Sequence, residues 1–199
     1  MNNKDQLRQQ ALMRRREMTP QARTSASSSI QQHLFSHLIQ ASEQDNKLRK
    51  APLLAYRSLS DEVDTTRLFE SCAGLADRDI YAPVTHHTGD MHWQRITPET
   101  SWQTGSFGIL EPVEGAPWSP ADGPAILACP LVGFDRCGNR LGLGKGCFDR
   151  WLGEAKNHIL LSIGLAFACQ ECSPIPAEDH DIPLDIIITE EEIITCRNY

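Results

Sequence analysis

The chain has 199 residues, 40% of them hydrophobic and 23% charged, with a net charge of −7. That balance describes an ordinary globular protein with room for a sizeable core and no global attraction for nucleic acid. No apolar run is long enough to cross a bilayer, and the amino-terminal MNNKDQLRQQALMRRREM holds no apolar signal core, so neither a membrane partner nor secretion is expected. Seven scattered cysteines, an odd number, fit a reducing cytoplasm better than a disulfide framework.

Asn3 to Met18 reads as a helix, with Lys4 and Arg8 sharing one face. Six of the 19 Lys and Arg residues lie within the first 23 positions. This basic arm is either a solvated helix face or a set of charges for a small anion. Thr19-Pro20 predicts an N-cap and first helical position, opening a helix with Ile30, Leu34, Phe35 and Leu38 on one side. KLRK then leads into the buried strand APLLAY. Asp64 can cap a following helix whose inner stripe is Leu68, Phe69, Cys72 and Leu75. DIYAPV and MHWQRI read as strands, and residues 97–123, rich in proline, as one long loop. AILACPLV is a strand feeding a glycine-rich loop, with a helix starting near Cys147 or Phe148. HILLSIGLAF, DIIIT and EIITC complete the strands. Apolar strands alternating with helices imply a three-layer α/β/α, Rossmann-like fold on a mostly parallel sheet, with residues 1–199 as a single domain and a monomer. Ligands in such sheets bind beyond the carboxyl ends of the strands, where the glycine loop should sit.

That loop, GNRLGLGKG, has four glycines in nine residues. It is not a Walker A loop, because Gly146 and not Ser or Thr follows Lys145. It is not a dinucleotide fingerprint or a kinase loop either, because Cys147 stands where a small residue is needed. Glycines still allow backbone N–H groups to turn toward an anion, a helix N-terminus adds partial positive charge, and Arg140 and Lys145 add full charges. An anion site and a plain strand-to-helix turn are the two readings. Cys169 and Cys172 form one CxxC without a second pair for zinc, and His86, His87 and His92 are expected to be surface or packing residues. Asp135 and Arg136 are expected to shape the turn before the loop.

GFDRCGNRLGLGKGCFDRWL resembles the signature of the 5-formyltetrahydrofolate cyclo-ligase, or methenyltetrahydrofolate synthetase, family. KDQLR, YRSLSDEVDT, TGSFGILEP and IPAEDHDIPLDIIIT resemble its other motifs in the same order, so the similarity covers nearly the whole chain. The resemblance implies an enzyme that uses ATP and Mg2+ to close 5-formyltetrahydrofolate into 5,10-methenyltetrahydrofolate, releasing ADP and phosphate. On the nucleotide side it implies Lys4, Arg8, Arg140, Gly142, Gly144, Lys145, Gly146, Cys147 and Phe148, with Arg140, Lys145 and Phe148 catalytic. It implies Asp149 and Asp181 for the metal, although Asp149 could equally be a helix-start acid favoured by the dipole. For the folate it implies Glu62, whose carboxylate can accept paired N–H bonds, with Arg57, Trp102 and Phe107. The family signature usually carries two aromatics ending in Tyr where this chain has Cys147-Phe148. That departure keeps open a catalytically weakened paralogue that only binds reduced folate or nucleotide. A sugar-phosphate or coenzyme A enzyme on a similar sheet is a third reading.

Overall fold

The structure is a computed structural model that describes residues 3–70, 78–178 and 181–196. The expected Cys72 and Leu75 positions lie outside these residues. Helix α1 (Asn3–Glu17) ends one residue short of the expected boundary, and α2 (Pro20–Gln44) follows at once. The Thr19 side chain accepts from Ala22 N at 3.2 Å with Pro20 at the first turn, as the sequence predicts. Ile30, Leu34 and Leu38 are buried, and Phe35 is half-buried against the same core. KLRK, which leads into APLLAY, is part of a one-turn helix, α3 (Asn46–Lys50), started by the Asp45 side chain on Lys47 N. The helix α4 (Thr66–Glu70) is entered through Asp64, whose carboxylate accepts from Thr66 N at 2.8 Å.

Strands β1 (Leu53–Ala55), β2 (Ile80–Thr85) and β3 (Met91–Ile96) come next. Residues 97–123 are not one long loop. They fold into a hairpin of β4 (Trp102–Thr104) and β5 (Leu110–Pro112), then a short 3-10 turn at Pro120–Asp122. Tight local pairing removes the unsatisfied backbone that so long a structureless loop would carry. β6 (Ala125–Pro130) is followed by a second small hairpin, β7 (Gly133–Phe134) with β8 (Arg140–Leu141), which had no strand signal in the sequence. Asp135 closes its turn by accepting from Cys137 N, Asn139 N and the Asn139 amide. Arg136 reaches outward to Glu171 and Glu192. Helix α5 (Cys147–Ala155) starts at Gly146, whose φ of 69° is left-handed. β9 (Ile159–Leu165), β10 (Ile186–Ile188) and β11 (Ile193–Thr195) end the chain of elements.

The central sheet has seven strands in the order β11-β10-β9-β6-β1-β2-β3. All pairs are parallel except β2 with β3 and β10 with β11, so each edge strand is antiparallel to its neighbour. Alternate residues feed two cores, which is the signature of a sheet covered on both faces. Leu53, Ala55, Ile126, Ala128, Leu161, Ile163, Ile186 and Ile188 meet the α2, α3 and α4 face. Leu54, Leu127, Cys129 and Ile187 meet Leu152 of α5 and the tryptophans Trp93 and Trp118. The α/β/α layering expected from the alternation is therefore present. The carboxyl ends of β1, β2 and β6 converge on one edge, and the glycine loop lies there.

Candidate active site

A cavity of about 290 Å³ opens at that edge. Its walls come from four segments: Tyr56 to Glu62 after β1, Pro83 and Thr85 of β2, the tip of the β4–β5 hairpin, and the chain from Pro130 into α5. Of the residues singled out in the sequence, Arg57, Glu62 and Phe107 line one side. Arg140, Gly142, Lys145, Gly146, Cys147, Phe148 and Asp149 line the other. Lys4, Arg8, Trp102, Gly144 and Asp181 are not in its wall.

The basic side is built by long-range pairing. Arg8 Nε donates to Gly142 O at 2.8 Å, fastening α1 to the glycine loop. Lys4 Nζ lies 2.7 Å from Asp181 and 3.2 Å from Glu178. Burial pulls the Lys4 pKa down, but its bonds to these two acids outweigh that and raise it. Arg140, its side chain only 4% exposed, pairs with Asp149 and donates from Nη1 to Ile182 O at 2.8 Å. One guanidinium thus ties the start of α5 to the residue beside Asp181. Lys145 and Leu143 are exposed at the loop tip. Asp149 and Asp181 are each engaged by a base, and among the described residues no group of three His, Cys, Asp or Glu could hold a metal. A magnesium ion does not require such a cage: it keeps waters and takes one or two carboxylates plus substrate phosphates. Asp149, in the wall beside the loop, has the donor chemistry for that.

The turn after β1 and the β4–β5 hairpin bring two buried acids to the cavity. Glu62 is 8% exposed, and its Oε2 accepts from Leu59 N at 2.9 Å. Burial raises its pKa; the Leu59 N–H and the Arg15 charge oppose this, and Asp61 adds to it. Glu111 was not singled out in the sequence, yet it lines the same cavity at 5% exposure and accepts from Thr85 N at 2.9 Å. A side chain at Gly105 would fall inside the Glu111 carboxylate, so that glycine makes room for it. The available signal was an acid set in the apolar stretch ILEPV of a proline-rich segment. Arg57 lies over the rings of Phe69 and Trp102, 5.4 and 4.9 Å from their centroids. Trp102 therefore holds Arg57 and does not wall the cavity itself. Phe148 stands edge-on to Trp93, centroids 6.1 Å apart, so its ring is both cavity wall and core.

The set-aside residues keep structural places. Cys169 Sγ lies 3.6 Å from Met18 Sδ, Cys172 bonds to Gln170 O, and His86 stacks on His92.

Fold and site together define an α/β enzyme with a basic glycine loop facing two buried carboxylates. The chain matches the 5-formyltetrahydrofolate cyclo-ligase family over residues 1–190. It is 32% identical to the 5-formyltetrahydrofolate cyclo-ligase of Haemophilus influenzae, across 93% of this chain and 97% of that protein. It is 27% identical to the mouse cyclo-ligase, across 93% and 92%. Its structure superposes on the NMR structure of Aquifex aeolicus 5,10-methenyltetrahydrofolate synthetase with a TM-score of 0.74 at 29% identity, covering 98% of this chain and 94% of that one. The chain belongs to the 5-formyltetrahydrofolate cyclo-ligase family, and it is an enzyme of the ligase class.

Proposed function

We propose that this protein closes 5-formyltetrahydrofolate into 5,10-methenyltetrahydrofolate, with ATP as second substrate and magnesium bound beside it. One observation carries the reading: a single cavity has Arg140 and Lys145 on one wall and the buried Glu62 and Glu111 on the other. The formyl oxygen is a poor leaving group. Transfer of the γ-phosphoryl group of ATP to that oxygen gives a phosphorylated formyl intermediate and ADP. Folate N10 then attacks the formyl carbon, and phosphate leaves.

Such a transfer needs positioning and charge neutralisation more than covalent help from the protein. The N–H groups of the glycine loop and the N-terminus of α5 favour bound phosphate. Lys145 and Arg140 neutralise charge that grows on the transferred group, and Lys4 and Arg8, outside the wall, brace the loop side through Asp181 and Gly142. Asp149 and Asp181 would hold the magnesium, which when bound lowers the charge on the phosphates. Glu62 and Glu111 accept from the aminopyrimidine N–H groups, while Phe107 and Phe148 flank the rings. Arg57 presents a positioned cation toward the carboxylates of the substrate.

The test mixes protein, ATP, magnesium and 5-formyltetrahydrofolate and follows methenyl absorbance together with ADP. Stoichiometric methenyl product and ADP support the reading. Tight binding of folate or nucleotide without product overturns it in favour of a binding-only paralogue, the reading that Cys147-Phe148 keeps alive.

A further inference from the structure

The buried face of α1 is Leu7, Ala11 and Arg15, four residues apart. The stripe thus ends in a guanidinium that is 1% exposed, where an apolar residue would be the ordinary choice. Arg15 Nη2 donates to Asp61 Oδ2 at 2.8 Å, while Nε and Nη1 have no hydrogen-bond partner among the described residues. A buried cation with unsatisfied donors is costly for stability alone. Its position gives it another use. Asp61 precedes Glu62 in a turn that closes on itself twice: Glu62 N donates to Leu59 O at 3.1 Å, and Leu59 N donates back to the Glu62 carboxylate. The same helix fastens to the glycine loop through Arg8, seven residues earlier.

We propose that Arg15 is a positioning residue for the reaction: from α1 it holds the Asp61–Glu62 turn, and its charge keeps the cavity-facing carboxylate competent to receive the substrate. The inference rests on the reading of Glu62 as a folate acceptor. α1 then joins the two halves of the site, with Arg8 at the phosphate loop and Arg15, about 10 Å further along the helix, at the folate turn. The titratable and charged groups around Glu62 are Arg15 from α1, Asp61 from its own turn, the neutral Tyr56 phenol just after β1, Asp64 before α4, and Arg57, Glu111, Arg140, Lys145 and Asp149 from the cavity wall. Among those that act on Glu62 itself, Arg15 is the cation that opposes the effect of burial. Removing it leaves Glu62 more easily protonated, and a protonated carboxyl has lost one acceptor.

The experiment measures Kd for 5-formyltetrahydrofolate and, separately, for ATP as a function of pH. Arg15→Met keeps the bulk and removes the charge. Its folate affinity should fall on the order of tenfold, with ATP affinity within about twofold of the parent. The acid limb of folate binding should also move to higher pH. Arg15→Lys should return that limb toward the parent position. In a Glu62→Gln background, Arg15→Met should add little further loss. Asp61→Asn, at a partly exposed position, serves if Arg15→Met does not fold. It should weaken folate binding and move the acid limb to lower pH, because a negative neighbour of Glu62 is gone. A lowered Tm with parental folate affinity and an unmoved acid limb, in whichever of these variants folds, overturns the inference. Parental folate affinity in Glu62→Gln would instead overturn the underlying reading of Glu62.

Discussion

The two walls of the cavity solve opposite problems. On the loop wall Arg140 already holds Asp149, and outside it on α1 Lys4 holds Asp181 and Arg8 holds Asp5. On the far wall, two acids are buried and take backbone N–H groups instead of bases. A nucleotide bound at the first wall, as proposed, would exchange ionic partners, so its binding should be sensitive to salt and to charge removal. A ring reaching the second wall meets oriented acceptors in a low-dielectric pocket, where one missing hydrogen bond is costly. In the proposed reading, charge magnitude governs one half of the site and acceptor geometry governs the other.

The largest expected effect tests the first wall. Lys145→Ala should lower turnover on the order of 10²-fold or more, with folate Kd unchanged. A comparable loss of folate affinity would erase the distinction between the walls. Next, Asp149→Ala should raise the magnesium concentration needed for half-maximal rate and cut turnover about tenfold or more. A fall in Tm with an unchanged magnesium requirement would leave Asp149 as only the counter-ion of Arg140. On the second wall, Glu62→Gln and Glu111→Gln should each weaken folate binding about tenfold and leave ATP Kd alone.

The pH dependence sharpens the contrast. Burial raises the Glu62 pKa, so its ionised form is lost at a higher pH than for an ordinary glutamate. Folate affinity in the parent should therefore decline on acidification before solvent carboxylates titrate, and Glu62→Gln should flatten that decline. Ionising a buried group with a raised pKa also lowers folding stability as pH rises through it. Glu62→Gln should accordingly show less loss of Tm between acidic and neutral pH. The smallest effect is expected where the walls meet. Phe148→Tyr should raise turnover severalfold at unchanged Tm by adding a hydroxyl that can bond a charged group. No rise would mean that the Trp93 contact, and not a missing hydroxyl, explains that ring.

How much could be read in advance divides along the same line. The loop wall is local: Arg140, Gly142, Lys145, Gly146 and the helix start lie close together in the chain, and they line the cavity as expected, although Gly144 does not. The helical ends were legible too, because Thr19 and Asp64 act on backbone groups two or three residues away. Glu111 was hidden because it belongs to the cavity only through the β4–β5 hairpin, whose pairing is tertiary and whose proline content reads as loop. Trp102 was expected to wall the folate, yet it supports Arg57, a difference set by side-chain direction and not by spacing. Arg15 sat in a run of arginines that composition cannot tell apart, and only burial separates it from Arg14 and Arg16.

The docking of α1 has a consequence for the order in which the protein is made. Lys4 and Asp181 are 177 residues apart, and Arg8 waits for Gly142, 134 residues later. At about 5–20 residues per second, roughly ten to thirty-five seconds separate the emergence of Lys4 from that of Asp181. During that interval the first helix leaves the ribosome without the surface it will cover. Its composition suits the wait. Only Leu7, Ala11, Leu12 and Met13 of its 15 residues are apolar, so the nascent helix offers a limited apolar surface for a chaperone or a neighbouring chain to grip.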